Sequence, residues 1–345
     1  MRCDILRKMF ADNEAVYITS YPNIFYYSGF TSEDAVLLIT KNRQILFTDS
    51  RYTVQAKQQA ADFEILDILT ARDNAVKTCG AEVLCFEEDN VTVRQFSALQ
   101  KYGMKLKPFS ESLRIPRRTK DENELKRIAE AERLGDEAFS YIIDKIKPGR
   151  AERETAAELE YFMRKNGAQS TSFDTICASG VRSAMPHGIA SDKTIENGDF
   201  VTLDFGCILD GYCSDMTRTV IVKEVNERQK EIYNTVLKAQ EAALKILKAG
   251  LPCADGDKAA REIIENAGYG KNFGHSTGHS VGIEIHETPV LSPKSKDILA
   301  AGNTVTVEPG IYIEGFGGVR IEDLVTIVDD GIVNFTHSDK SLIIV

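Results

Sequence analysis

The first third of the chain alternates short apolar runs with amphipathic segments. The apolar runs are rich in Val, Ile, Leu and Phe and end at turn residues, which is typical of β-strands, whereas the intervening segments have helical spacing. Strands are predicted over residues 15–19, 35–40, 44–48 and 83–86. Helices are predicted over residues 51–61, 72–79 and 92–102. This alternation indicates a layered α/β domain of about 110 residues.

The pattern changes after this domain. Residues 114–119 contain a proline and three arginines, and we interpret them as a break between domains. Thr119 and Glu122 have the spacing of a capping box that begins a helix, and this helix is predicted to end at Lys147. A second helix is predicted over residues 152–165. The sequence therefore predicts two domains, residues 1–118 and 119–345.

Strands and glycine-rich turns dominate beyond Gly167. The segment Leu209-Asp210-Gly211 lies between two apolar runs and is a strong hairpin signal. Strands are predicted over residues 200–207, 212–222, 304–308, 319–324 and 342–345. Helices are predicted over residues 227–249 and 256–267. Helices packed on a largely antiparallel sheet, after a small α/β domain, predict an α+β fold for the chain.

Two aspartates lie on the arms of the predicted hairpin. With Asp210-Gly211 as the turn, Asp204 pairs with Thr217, and Asp215 lies diagonally on the same face. Asp204 stands in an apolar strand, where an unpaired carboxylate would cost several kcal/mol, so it requires a cation. The alternative is that both are ordinary charges at a sheet edge and a turn.

Three further candidates lie later in the chain. Glu308 ends an apolar strand, and His279 stands in a glycine-rich loop, where a hydrogen-bonded turn residue is the simpler interpretation. Glu322 follows Arg320 by two positions in a strand, so a salt bridge between them is the simpler interpretation of that pair. Together, however, four carboxylates and one imidazole favour two divalent ions such as Mn²⁺ or Co²⁺ over a thiolate zinc site. Such a pair of ions generates hydroxide from water at neutral pH.

Composition narrows the possible functions. The chain has 345 residues, with 42 Lys and Arg against 52 Asp and Glu, which gives a net charge of −10 and argues against a nucleic-acid partner. The odd number of cysteines, seven, and the lack of a C-x-x-C pair argue against a disulfide framework. The first residues do not resemble a secretory signal, and no apolar run is long enough to span a bilayer. We therefore expect a cytoplasmic protein with no membrane partner.

Motifs spread over nearly the whole chain occur in a recognisable order. They are Tyr21-Pro-Asn-Ile-Phe-Tyr-Tyr-Ser-Gly-Phe30, Thr48-Asp-Ser-Arg-Tyr52, Asp204-Phe-Gly, Asp210-Gly-Tyr-Cys-Ser-Asp215, His275-x-x-x-His279, His286-Glu, Glu308-Pro-Gly-Ile-Tyr and Val319-Arg-Ile-Glu322-Asp. This set resembles the creatinase-like ("pita-bread") metallopeptidases, specifically their Xaa-Pro aminopeptidase and Xaa-Pro dipeptidase (prolidase) branch. The resemblance implies a creatinase-like N-terminal domain and a pita-bread catalytic domain.

The resemblance also implies a ligand set and an activity. Two divalent ions, Mn²⁺ or Co²⁺ and with Zn²⁺ as a further option, would be bound by Asp204, Asp215, His279, Glu308 and Glu322. Asp215 and Glu322 would bridge the two ions. The implied reaction is hydrolysis of the peptide bond before proline by metal-activated hydroxide, which would make the protein a metallo-aminopeptidase or proline dipeptidase.

Roles for further residues follow from the same resemblance. His187 and His286 would contact the substrate and stabilise the tetrahedral intermediate, and Glu308 would move a proton to the leaving nitrogen. His275 would lie near the substrate prolyl ring, and Arg320 would support the substrate site. The expected partner is a proline-containing di- or oligopeptide, and a homodimer is expected.

Two other functions remain open from the sequence. One is a methionine aminopeptidase-like exopeptidase, against which the additional N-terminal domain counts. The other is a non-catalytic relative that binds a peptide or a protein partner, against which the complete set of five ligand-type residues counts. The sequence does not choose between dipeptides and longer peptides as substrates.

Overall fold

The apolar runs of the first third form a six-stranded sheet in the computed structural model, which describes residues 2–345. The strands are β1 (Glu14–Ile18), β2 (Ala35–Ile39), β3 (Gln44–Thr48), β4 (Glu64–Asp67), β5 (Val83–Phe86) and β6 (Lys105–Pro108). The helices are α1 (Arg2–Arg7), α2 (Tyr21–Ser28), α3 (Thr53–Gln59), α4 (Arg72–Lys77), α5 (Val93–Gln100) and α6 (Ser110–Arg118). The strand order is β4-β3-β2-β1-β5-β6, in which β1, β2 and β3 pair antiparallel and the remaining pairs are parallel.

The proline in residues 114–119 does not interrupt the local structure: helix α6 continues through Pro116 and ends at Arg118, next to the point where the chain divides into two compact units. Proline cannot donate the backbone hydrogen bond that a helix interior uses, which is the reason to predict a break. Packing outweighs this loss here: Leu113 is buried and its carbonyl accepts from the Tyr27 hydroxyl at 3.1 Å. The Tyr26 hydroxyl likewise donates to the Pro116 carbonyl at 3.0 Å.

The rest of the chain forms a second compact unit that begins at Arg118, and the first unit ends at Arg117. Its helices are α7 (Glu122–Ile143), α8 (Glu152–Lys165), α9 (Glu227–Ile246) and α10 (Cys253–Asn266), with single 3₁₀ turns at Gly180–Ala184 and Gly270–Asn272. Its first strands are β7 (Ser170–Thr171), β8 (Ile176–Ser179), β9 (Phe200–Phe205), β10 (Cys207–Leu209), β11 (Tyr212–Cys213) and β12 (Met216–Ile221). The later strands are β13 (Gly278–Ser280), β14 (Glu287–Leu291), β15 (Thr304–Val307), β16 (Gly310–Ile313), β17 (Gly317–Arg320), β18 (Asp323–Val328) and β19 (Gly331–Asn334).

The strands of the second unit pair antiparallel, in the orders β12-β9-β8, β11-β10-β7, β14-β13-β15-β18-β19 and β16-β17. Two apolar clusters cover them. Leu134 of α7 and Leu159 of α8 pack with Leu203 of β9 in one cluster, and α9 and α10 pack against β15 and β18 in the other. The predicted α+β fold is confirmed.

Several predicted element ends in this unit are wrong. Helix α7 is capped by Asp121, whose carboxylate accepts from the Glu124 backbone N–H at 2.9 Å, so the capping box lies two residues after the predicted Thr119. The same helix ends at Ile143, because the chain turns there before Lys147 is reached. Residues 342–345 make a single parallel bridge, Ile344 with Ile221, and are not a full strand.

The predicted hairpin is confirmed in its register, because Asp204 pairs with Thr217. Each arm is nevertheless broken into two short strands. On the first arm the break is Gly206, where an added Cβ would lie 1.9 Å from the Ser214 carbonyl oxygen. On the second arm the break is at Ser214 and Asp215. Asp215 therefore leaves the sheet ladder at a point where the two arms approach each other very closely.

We expect Gly206→Ala to destabilise the second unit, because its methyl group would overlap a backbone carbonyl that has little room to move. The free energy of unfolding should fall by about 3 kcal/mol, measured by urea denaturation in the presence of a chelator. Gly331→Ala is the matched control, since an added Cβ there has no atom within 4 Å, and it should change stability by less than about 0.5 kcal/mol. Equal stability of the two variants would contradict the prediction.

Candidate metal centre

Three carboxylates that are far apart in the sequence meet in the second unit. Oxygens of Asp204, Asp215 and Glu322 lie within 4.8 Å of one another, and the three residues are 9%, 4% and 2% exposed. Asp204 lies in β9, Asp215 lies between β11 and β12, and Glu322 lies between β17 and β18. A backbone hydrogen bond joins the break at Glu322 to strand β12, since the Glu322 N–H donates to the Thr217 carbonyl at 3.1 Å. The broken strands thus turn two acids inward beside a third.

His279 and Glu308 complete this cluster. The His279 Nε2 atom lies 3.5 Å from an Asp215 oxygen and 3.5 Å from a Glu308 oxygen. His279 stands in β13, and Glu308 follows the last residue of β15. Thr306 links them, because its hydroxyl accepts from the His279 N–H at 3.0 Å and donates to Glu308 at 3.3 Å. All five ligand-type residues of the sequence analysis are therefore brought together.

Burial and mutual repulsion act on the acids in the same direction. Burial raises the pKa of Asp215 well above its ordinary value, and the charges of Glu322, Asp204 and Glu308 raise it further. Burial also raises the pKa of Glu308 to about 8, although Arg320 opposes the shift. Burial raises the pKa of Glu322 well above its ordinary value, and Glu308 adds to that effect. Such a cluster favours bound cations, which would offset the repulsion.

The donor set fits divalent metal ions. One oxygen of Asp204, Oδ1, is buried without a hydrogen-bond partner, as expected of an atom that has a cation for its partner. Burial, with His286 close by, lowers the pKa of His279 to about 4, so its imidazole is in the neutral form that binds metals. Four carboxylates and one imidazole suit hard or borderline divalent cations.

Arg320 holds Asp204 rather than Glu322, so the salt bridge favoured for Arg320 and Glu322 is wrong. The guanidinium Nη2 pairs with an Asp204 oxygen, and Nε donates to the Thr217 hydroxyl at 3.1 Å. Glu322 instead accepts from that same Thr217 hydroxyl at 2.6 Å. The physical reason is that β17 ends at Arg320, so the alternation that would place both side chains on one face does not reach Glu322.

Glu132 supports Asp215 from behind the cluster and was missed by the sequence analysis. This fully buried residue of α7 accepts from the Asp215 backbone N–H at 3.1 Å and from the Thr336 hydroxyl at 2.6 Å. Burial raises the pKa of Glu132 to about 8. Only an acid at a helix position with otherwise apolar neighbours could have signalled it, and that signal does not name its partners.

Tyr312, the last residue of the Glu308-Pro-Gly-Ile-Tyr motif, was given no role by the sequence analysis. Its hydroxyl accepts from Arg320 Nη1 at 2.8 Å and lies 2.9 Å from His275 Nε2. The other ring nitrogen of His275 lies 2.8 Å from the Ser276 carbonyl, which makes that nitrogen the donor and leaves Nε2 to accept from Tyr312. His275 is therefore fixed in one neutral tautomer, and burial lowers its pKa to about 4.

A cavity of about 520 Å³ opens over the cluster. Its polar lining contains His187, His275, His279 and His286 together with the acids. His286 packs edge-on against His279, with ring centroids 4.5 Å apart. The apolar wall of the cavity is formed by Phe173, Ile176, Ile189, Ile285 and Val290. No pattern in the sequence indicates this apolar wall, because its members come from separate segments and resemble ordinary core residues.

A buried ion pair lies beside the His286 loop. Lys120, whose side chain is 1% exposed, lies 3.0 Å from a Glu287 oxygen and donates to the Ser280 hydroxyl at 3.3 Å. The other Glu287 oxygen accepts from the backbone N–H groups of Ile283 and Glu284, at 3.1 and 3.2 Å. The pair therefore ties the turn that precedes His286 to strand β13, which carries His279.

Comparison with known proteins identifies the family. Residues 126–329 match the description "Metallopeptidase family M24", and residues 2–117 match "Creatinase/Prolidase N-terminal domain". The chain belongs to metallopeptidase family M24. This M24 chain is thus a hydrolase with a creatinase-like N-terminal domain and a pita-bread domain, as the sequence predicted. Members of family M24 are metal-dependent, which agrees with the acidic cluster.

Relatives of this M24 peptidase include solved structures that match over their whole length. A structure described as "Xaa-Pro dipeptidase from Bacillus anthracis" is 44% identical, covers 100% of this chain and 99% of that chain, and superposes with a TM-score of 0.97. An X-Pro aminopeptidase structure from Thermotoga maritima is 39% identical, with complete coverage of both chains and a TM-score of 0.94. An Xaa-Pro dipeptidase of Pyrococcus horikoshii is 39% identical over 96% of this chain and 94% of its own.

Among residues 2–345, none of the helices combines the length and the apolar character that crossing a bilayer requires.

We expect Lys120→Met to destabilise this M24 peptidase strongly, since it removes the positive charge beside the buried Glu287 carboxylate. The loss should be about 3 kcal/mol in the free energy of unfolding, measured by urea denaturation with a chelator present. Lys230→Met is the matched control, because its ion pair with Glu227 is exposed on both sides, and it should cost less than about 1 kcal/mol. A Lys120→Met loss no larger than that of the control would refute a structural role for the buried pair.

Proposed function

We propose that this protein is an Xaa-Pro exopeptidase that hydrolyses the peptide bond before a proline residue. The observation that carries the proposal is the meeting of all five ligand-type side chains at the floor of one cavity. The relatives described as Xaa-Pro dipeptidases and as an X-Pro aminopeptidase, which match along the whole chain, support the same substrate class.

Two divalent ions would be held by the five residues Asp204, Asp215, His279, Glu308 and Glu322. Asp215 and Glu322 would each serve both ions, a role that the family resemblance of their motifs implies. When bound, the ions would supply Lewis-acid polarisation of the scissile carbonyl and lower the pKa of the attacking water. Mn²⁺ or Co²⁺ suits this carboxylate-rich set, and Zn²⁺ is a further option.

Glu308 is the proposed proton carrier. Its carboxylate lies at the edge of the cluster beside His279 and lines the cavity, so it reaches both the floor and the substrate space. It would accept a proton from the attacking water and donate it to the prolyl nitrogen as the peptide bond breaks. A nitrogen that left without a proton would be a strongly basic anion, so its departure requires this delivered proton.

Histidines on the cavity wall would bind the reacting group. His187 and His286 line the cavity from two different loops, and each would donate a hydrogen bond to the oxygen of the tetrahedral intermediate. His275, held in one tautomer by Tyr312, would contact the prolyl ring through the face of its imidazole. Arg320 lines the cavity while its hydrogen bonds go to Asp204, Thr217, Tyr312 and Pro186, so it would keep the substrate site in shape.

The alternatives have less support. A methionine aminopeptidase-like function is not favoured, because residues 2–117 match the creatinase/prolidase N-terminal domain. A non-catalytic role is not favoured, because the full donor set for metal ions is present and assembled. Cleavage of longer peptides from the amino end stays a second candidate, favoured by the likeness to the X-Pro aminopeptidase structure. A homodimer in the cytoplasm completes the proposal.

With Mn²⁺, Co²⁺ or Zn²⁺ added, the protein should cleave an Xaa-Pro dipeptide and lose that activity on chelation. Free proline release can be measured for Leu-Pro, with Leu-Ala as the control substrate that lacks the tertiary amide. Leu-Pro-Ala in parallel distinguishes a dipeptidase from an aminopeptidase, since only the latter should release Leu from the tripeptide. Failure to cleave any proline peptide with each of the three metals would sink the proposal.

Asp204→Asn should lower the metal content below two ions per chain, because the neutral amide is a poorer ligand and the repulsion that favours cations decreases. The measurement is metal stoichiometry by plasma mass spectrometry after dialysis. Asp192→Asn serves as control, since this aspartate is 80% exposed and pairs with Arg153 at the surface. Unchanged stoichiometry in Asp204→Asn would remove this residue from the ligand set.

A further inference from the structure

One buried carboxylate ties both ends of the loop that carries His187. Glu152, the first residue of α8, is 0% exposed. Its Oε1 accepts from the Ser179 N–H at 2.7 Å and from the Ser179 hydroxyl at 2.9 Å, before the loop begins. Its Oε2 accepts from the Ser191 N–H at 3.1 Å and from the Ser191 hydroxyl at 2.6 Å, where the loop ends. The Glu152 carboxylate therefore holds the two ends of segment 179–191 together, and His187 lies within that segment.

Arg182 connects the Glu152 carboxylate to the backbone within the loop. One guanidinium nitrogen pairs with Glu152, and the other donates to the Ile189 carbonyl at 2.9 Å, two residues after His187. On the other side of His187, the Pro186 carbonyl accepts from Arg320 at 3.1 Å. The backbone next to His187 is thus held on one side by the Glu152–Arg182 pair and on the other by Arg320, which also pairs with Asp204.

The loop has little apolar packing to hold it without these bonds. Met185 is 44% exposed and Ile189 is 54% exposed, although Ile189 also lines the cavity. His187 is exposed as well. A segment with few buried apolar contacts opens easily unless polar bonds fix it, so its hydrogen bonds set its conformation.

The Glu152 side chain does not cap the N-terminus of its own helix, α8. The N-terminus of α8 is capped by Glu154, whose carboxylate accepts from the Ala151 N–H at 3.2 Å. The described hydrogen bonds of the Glu152 carboxylate all go to residues 179, 182 and 191. Burial of a carboxylate costs free energy unless donors satisfy it, and here the donors come from the loop.

We propose that Glu152 is a positioning residue that acts through Arg182, Ser179 and Ser191 to hold His187 over the acidic cluster. The effect on catalysis rests on the proposed function, in which His187 contacts the reacting carbonyl. The effect on the loop itself does not depend on that function, so the two can be tested separately.

The first test is amide hydrogen exchange, followed by mass spectrometry, on metal-free protein. Glu152→Gln should speed exchange of residues 185–191 by about tenfold or more, which is the effect of losing one hydrogen bond to a charged group. Arg182→Met should act in the same direction and keeps the test available if Glu152→Gln does not fold. Glu158→Gln is the matched control on the same helix, since Glu158 pairs with Lys145 and Arg150 outside the loop. Unchanged exchange of residues 185–191 in both test variants would overturn the proposal.

The second test is a double-mutant cycle with His187→Ala, measured on an Xaa-Pro dipeptide. Arg182→Met alone should lower kcat by about tenfold or more with little change in KM, because it displaces a group that acts on the transition state. In the His187→Ala background the same change should cost less than about twofold. Equal losses in both backgrounds would show that the Glu152–Arg182 pair does not act through His187 and would overturn the proposal. If the wild-type chain cleaves no proline peptide, the proposed function fails alone, and hydrogen exchange still decides whether Glu152 holds the loop.

Discussion

The gathering of four largely buried carboxylates in one place is the constraint on which the second unit depends. Each of Asp204, Asp215, Glu308 and Glu322 has its pKa raised, and for each of them burial is the first cause. A protein interior that only maximised stability would contain neutral side chains at these positions. The burial of these charges becomes favourable when cations lie among the carboxylate oxygens. The cluster is therefore best understood as the ligand set of a metal site.

The fold satisfies this constraint by breaking strands at the acids. Asp215 lies in the gap between β11 and β12, and Glu322 lies in the gap between β17 and β18. A carboxylate in a continuous strand points to one face at a fixed spacing, whereas a break frees its backbone to turn toward the other acids. The freed backbone is then held elsewhere: Glu132 accepts from the Asp215 N–H, and the Thr217 carbonyl accepts from Glu322.

Local patterns in the sequence predict much of this arrangement. The pairing of Asp204 with Thr217 follows from the Asp210-Gly211 turn and the period of two, because both act within about 15 residues of chain. Asp204 and Glu308 also stand out, because each is an acid in an apolar strand. The full set of five ligand-type residues follows only from the family resemblance, because His279 in its glycine-rich loop and Glu322 beside Arg320 each have a simpler interpretation when considered alone. The pairing of Arg320 with Asp204 does not follow, since it joins residues 116 positions apart and depends on where β17 ends.

Residues that act on the site through others are the least predictable. Glu152 and Glu132 look in the sequence like ordinary helix acids, because the donors that make them special come from residues 27 and 83 or more positions away. Lys120 likewise looks like an ordinary residue in the sequence, because its partner Glu287 lies 167 positions later. The apolar wall of the cavity cannot be told from core, since both use the same residue types and differ only in which surface they face.

The Arg320 side chain contacts several parts of the site at once. Its guanidinium contacts Asp204 in the cluster, the Tyr312 hydroxyl that fixes His275, and the Pro186 carbonyl next to His187. A lysine has a single nitrogen and could not span these directions, whereas the planar guanidinium donates along several fixed ones. One buried cation therefore links the acidic floor of the cavity to two of the histidines on its wall. Since Glu152 and Arg182 hold the far side of the His187 loop, the position of that histidine relative to the acids is fixed from both sides.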